Sequence, residues 1–134
     1  MALCGSPEGL GAAELLERLG IHYRIGNACS GGLPSQSVDL DVSDVVLEYV
    51  SPEQLLDLLE EFRRFAAADD AVMSHTISRD DQYAARDPGI TQFNFLRFSD
   101  WTWRWLNNPA IPLNRLHVSD YRRAFRKAGL SNCR

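Results

Sequence analysis

Three histidines, His22, His75 and His117, are the side chains whose ordinary pKa suits general-base work near neutral pH. His75 lies between Ser74 and Thr76 in "AVMSHTI". A histidine at a strand end can take a proton from a substrate held in a cleft; its more ordinary role is a satisfied structural one. Glu48 and Tyr49 follow the apolar run Val45-Val46-Leu47, and Tyr49 either closes over a substrate or packs against the next helix. The densest aromatic group is Trp101, Trp103 and Trp105 with Phe93, Phe95 and Phe98. Trp101 and Trp105 stand one helical turn apart and share a face, while Trp103 points elsewhere. As structure the group is a core for an irregular segment; as chemistry, interleaved with Arg97 and Arg104, it is a stacking surface for nucleic-acid bases, the weaker of the two readings. No metal constellation is visible. Asp69-Asp70 and Asp80-Asp81 lack ligand spacing and read as turns, and Cys4, Cys29 and Cys133 form no C-x-x-C pair.

These residues need elements to position them. Residues 37–55, "SVDLDVSDVVLEYVSPEQL", begin with the two-residue period of a strand whose Asp39, Asp41 and Ser43 face is wet. Ser51-Pro52-Glu53-Gln54 then reads as a helix start, with serine at the N-cap and proline at the first helical position. The helix carries Leu55, Leu58, Leu59, Phe62, Phe65 and Ala66 as one apolar stripe. Further helices are expected over 12–19, ending at Gly20, after Ser99, and after Ser119 with a Schellman-type end at Gly129-Leu130. "IHYRI" (21–25) and "AVMSHTI" (71–77) read as strands, and residues 79–116 as an insertion. With helices between most strands, the fold class is α/β.

The chain has 134 residues, enough for one domain, and a 45% hydrophobic content that argues against wholesale disorder. No apolar run is long enough to span a bilayer, and "MALCGSPEGLGAAELLERLG" lacks the basic and apolar regions of a signal peptide, so a cytoplasmic location with reduced thiols is expected. The net charge of −4 hides a basic tail from Arg97 onward, which reads as the solvated face of two helices rather than a nucleic-acid surface.

"GIHYRIGNA", then "LPSQSVDLDVSDVVLEYVSPEQLLDLLEEFRRFAAADDAVMSHTI", then "LHVSDYRRAFRKAGL" stand in an order that resembles the class I S-adenosylmethionine-dependent methyltransferases of the type 11-like branch. The three phrases correspond to that family's third strand, its fourth strand through its fifth, and its late helix. The resemblance implies a partial Rossmann-like sheet with flanking helices and an aromatic-rich insertion, residues 79–116, of the kind that builds a substrate lid. It implies S-adenosylmethionine as cofactor and a small-molecule methyl acceptor, with no membrane or nucleic-acid partner. Ser43, Asp44 and Val45 match the loop near the cofactor's methionine end, and Asn27 and Ala28 the loop near its adenine. Tyr49, His75 and Trp101 become the substrate-side candidates. Asn27 has a plainer reading as a turn or cap residue.

The departures carry information too. Gly5, Gly9 and Gly11 follow no apolar strand, so the family's glycine-rich cofactor turn is not matched. Asp41 stands where a central strand is usually apolar and therefore needs a partner or an exposed face. What remains corresponds to the middle and late parts of the domain, residues 1–134 forming a truncated unit. Two functions follow as expectations: a methyltransferase-like protein or an inactive piece of one, and a non-catalytic interaction module that self-associates through exposed sheet edges.

Overall fold

The structure, a computed structural model, describes residues 11–67, 71–78, 80–107 and 112–130. Cys4, Cys133, Gly5, Gly9 and the Asp69-Asp70 pair lie outside the described residues. The fold is mixed α/β. Helix α1 (Ala12–Arg18) is followed by strand β1 (Leu40–Asp44), helix α2 (Pro52–Phe65), strand β2 (Val72–Thr76), helix α3 (Asp100–Leu106) and helix α4 (Val118–Lys127). The two strands pair in parallel, from Leu40 opposite Val72 to Asp44 opposite Thr76. A parallel pair needs a long crossover, and α2 supplies it.

Helix α2 begins where the capping residues put it. The Ser51 side chain accepts a hydrogen bond from the Gln54 N–H at 3.3 Å, and Pro52 spends no donor that the first turn could have used. Leu55, Leu58, Leu59 and Phe65 on its apolar stripe are buried, and Leu55, Leu58 and Leu59 form the core with Leu47, Tyr121 and Ala128. Each such leucine contributes about 1.5–3 kcal/mol through the apolar area it removes from water. Helix α4 packs across α2, and Arg63 ties the two by donating to the Ala128 carbonyl at 3.1 Å. Its N-cap is His117, two residues before Ser119: the His117 N–H donates to the Asp120 carboxylate at 3.0 Å, so the aspartate three positions on holds the helix start. Its other end is the expected Schellman motif, with Leu130 N–H bonded to Phe125 C=O at 2.9 Å and Gly129 N–H to Arg126 C=O at 3.0 Å.

Two expectations are corrected. Residues 21–25 form no strand; Ile21, Tyr23 and Ile25 are 48%, 76% and 90% exposed. Alternation of β-rich residues describes a surface that fits a sheet, and a strand exists only when a neighbouring edge pairs with it. The faces of β1 are also reversed. Asp41 and Ser43 turn toward the interior, while Leu40 and Val42 are 60% and 62% exposed, beside Val72 at 57%. The helix layer covers the polar face and leaves the apolar one open.

Gly129 adopts φ +76°, and a Cβ there would stand 2.0 Å from the Arg63 guanidinium. Gly129→Ala therefore imposes left-handed backbone strain and displaces the Arg63 bond that ties α2 to α4. The expected loss is about 1–3 kcal/mol, read as a lowered urea midpoint with an unchanged slope. A midpoint equal to that of the parent chain would refute it.

Candidate functional site

Two residues other than glycine adopt a left-handed backbone, Gln36 and Val45, both at φ +54°, and Val45 stands at the carboxyl end of β1. Val45 sits at φ +54°, a left-handed conformation that is costly for a β-branched residue, and its N–H bonds to Thr76 C=O at 3.0 Å. The cause lies two residues on. Leu47 is fully buried, so the chain must turn inward immediately after the strand and then form a single 3₁₀ turn over Leu47–Tyr49.

Asn114 closes this turn from the far end of the chain. Its amide nitrogen donates to Leu47 C=O at 2.9 Å and to Val50 C=O at 2.8 Å, its backbone N–H donates to Glu48 C=O at 2.7 Å, and its side-chain oxygen accepts from the Tyr121 hydroxyl at 2.9 Å. Burial pushes the Tyr121 hydroxyl up from the usual tyrosine range, and the nearby Glu48 carboxylate adds to the rise.

Glu48 is drawn inward with the turn and is 2% exposed. One carboxylate oxygen accepts from the Ser78 N–H at 3.2 Å; the other finds no hydrogen-bond partner among the described residues. Burial raises its pKa above the ordinary glutamate value, and the negative charge of Asp44 adds to the rise. It borders a cavity of about 10 Å³ at the carboxyl ends of the strands, lined also by Ser78, Asp80, Asn114, Arg115 and Tyr121. That edge is where open α/β sheets hold their ligands.

On the helix-covered face of the sheet lies a second polar group. Ser43 Oγ and His75 Nδ1 are 2.9 Å apart, and His75 Nε2 stands 3.8 Å from Asp41 Oδ2. The imidazole lies between Phe62 and Phe125, with ring centroids at 5.3 and 5.8 Å. Burial lowers the His75 pKa, the Asp41 charge opposing it, and raises that of Asp41. Asp41 thus has a partner, but across a distance too long for a hydrogen bond.

The residues singled out from sequence fall in different places. Asp44 is exposed at the strand end, and Val45 is the strained residue beside it. Ser43 and His75 meet each other on the helix-covered face. Tyr49 is half-buried in the 3₁₀ turn. Asn27 caps a short 3₁₀ turn over Ala28–Ser30, its side chain accepting from Cys29 N–H at 2.9 Å, so its plainer reading describes what the side chain does here. Neither Asn27 nor Ala28 ends a strand. Trp101 is 71% exposed and touches Trp105, whereas Trp103 turns inward between Phe95 and Phe98. Asp81 caps the 3₁₀ turn Gln82–Ala85, the turn role read for that acidic pair.

Sequence reasoning passed over Asn114 and Tyr121, and it counted Arg115 among surface cations. Arg115 instead lies 5.5 Å above the Trp103 ring and donates to the Phe95 and Phe98 carbonyls and to Asp100, anchoring the aromatic segment. The one available signal was Glu48 itself, a charged residue inside an apolar run. No helix among the described residues is long and apolar enough to cross a membrane, and no group of three metal-ligating side chains occurs among them. No protein-family model matches the chain, and no curated protein or solved structure matches it either.

The His75 shift fixes the sign of a pH effect. Its folded pKa lies below the unfolded value near 6.5, so between the two the unfolded chain binds more protons. The stability of neutral His75 is present above about pH 6.5 and is lost as pH falls below it. Urea unfolding between roughly pH 7 and 5.5 should show stability declining with acidity, and His75→Gln should flatten the decline. An equal slope in both proteins would exclude His75 as the cause.

Proposed function

We propose that this chain is an S-adenosylmethionine-dependent methyltransferase-like protein with a Rossmann-like sheet, acting on a small molecule. The observation that carries the reading is Val45: backbone strain in a non-glycine residue, held at the carboxyl end of a parallel strand, in the loop that the resemblance assigns to the cofactor. Such strain persists where the surrounding structure over-determines it, and it clusters at ligand sites. Asp44 and Glu48 supply two carboxylates close enough to affect one another, which suits the cationic methionine end. Asn27 has committed its side-chain oxygen to Cys29 and keeps its amide hydrogens for an adenine edge.

S-adenosylmethionine supplies a methyl group already activated on a sulfonium. The protein's part is then binding and alignment. In this reading Asp44 attracts the cationic end, the rigid turn at Val45–Leu47 presents it, and the Asn114 bonds keep that turn from rearranging. His75, stacked on Phe62 and packed against the tilted Phe125 ring, is a structural group and not the base.

A second reading, a non-catalytic interaction module, is favoured by the open apolar face of Leu40, Val42 and Val72 and by the exposed Ile21, Tyr23 and Ile25. Uncovered apolar surface of this kind promotes association.

Isothermal titration with S-adenosylmethionine tests the first reading. One-to-one binding is expected, weakened about threefold to tenfold by Asn27→Ala, the worth of one neutral hydrogen bond. Ala28→Trp should weaken it further by filling the space a ring needs, and His117→Ala should leave it unchanged. Binding lost in His117→Ala but kept in Ala28→Trp would overturn this placement. For the second reading, light scattering should show the chain as a dimer or larger species at micromolar concentration; a monomer with a sharp cooperative melt would remove its support.

A further inference from the structure

The polar groups around the Glu48 cavity divide unevenly into spent and unspent. Both hydrogens of the Asn114 amide are committed to the Leu47 and Val50 carbonyls. The Tyr121 hydroxyl hydrogen goes to Asn114, and the Arg115 guanidinium is turned to the Phe95 and Phe98 carbonyls and Asp100. None of these bonds goes to the Glu48 carboxylate. One oxygen of Glu48, 2% exposed, faces no donor among the described residues, and the carboxylate of exposed Asp80 stands at the rim. Asp44 adds a further negative charge nearby.

A buried carboxylate oxygen without a donor is costly, and the complement that relieves the cost is a small group that carries hydrogens and positive charge. The cavity volume of about 10 Å³ matches one water-sized group. We propose that this cavity is a binding site for the protonated amino group of a small molecule, with Glu48 as its acceptor and Asp80 at its mouth. An alkylammonium head is the size of a water, donates up to three hydrogen bonds, and lets its substituent leave through the rim. A quaternary ammonium meets neither the size limit nor the need for donors. A planar guanidinium exceeds the volume.

Such an amino group has two sources: the methionine end of S-adenosylmethionine, or a separate small amine. The pocket stands apart from the methyl-transfer reading, because it can take an amine whether or not that cofactor binds.

The test is an NMR titration of the whole chain with methylammonium chloride at constant ionic strength, observed at the Glu48 and Ser78 amides. Saturable shifts at both amides are expected, at least tenfold weaker in Glu48→Gln and unchanged in Glu14→Gln, which removes the same charge from exposed α1. Tetramethylammonium should give no saturable shift on the parent chain, a control that holds even if Glu48→Gln fails to fold. Equal binding of tetramethylammonium, or equal affinity in Glu48→Gln, would overturn the proposal, as would shifts that never saturate. Adding S-adenosylmethionine separates the sources: displacement of methylammonium assigns the pocket to the cofactor's amino group, and joint binding assigns it to a second amine. Methylammonium binding with no response to S-adenosylmethionine would sink the methyltransferase reading and leave the amine pocket standing.

Discussion

The turn after β1 depends on one side chain. Leu47 and Val50 carry backbone carbonyls into the protein; that of Leu47 accepts the Val50 N–H within the 3₁₀ turn, and a buried carbonyl left without a donor is a substantial cost. Asn114 meets both with a single amide, and its own oxygen takes the Tyr121 hydroxyl. Residues more than sixty positions apart in the chain are thereby locked into one turn. Everything nearby follows: Leu47 is held in the core, Val45 is forced into a left-handed conformation, and Glu48 is carried out of water with it.

The sheet shows the same economy in a less usual way. Two short parallel strands turn Asp41, Ser43 and His75 under the helices and leave Leu40, Val42 and Val72 open. Burying the polar face costs desolvation, offset in part by the Ser43–His75 hydrogen bond and by stacking of the imidazole on Phe62. Side chains alternate strictly along a strand, so once α2 lies over one face of the sheet, every second residue of β1 is committed to the helix side.

The two polar clusters differ in what they can do. The Ser43–His75–Asp41 group resembles a catalytic arrangement in composition, but Phe62 and Phe125 pack against the imidazole. The Glu48 group has the opposite character: the Asn114 and Tyr121 donors bond elsewhere within the protein, a Glu48 acceptor is left over, and a small cavity lies beside it at the edge where parallel sheets hold ligands.

Helix α2, the strand at Val72–Thr76, the Ser99 cap of α3 and the Schellman end of α4 were legible in the sequence, because capping, glycine placement and helical periodicity act within a few residues. The inward turn of Trp103, opposite to Trp101 and Trp105, was legible for the same reason. Three things were decided only by tertiary structure. Residues 21–25 have strand character but pair with neither outer edge of the two-stranded sheet, an outcome set by other parts of the chain. The wet face of β1 was misassigned because alternation fixes which residues share a face and not which face the helices cover. The Glu48 site depends on Asn114, Arg115 and Tyr121, whose roles rest on contacts reaching back across much of the chain and leave no local pattern. Short-range physical chemistry is written in neighbouring residues, whereas the partner of a buried polar group is chosen only when distant segments meet.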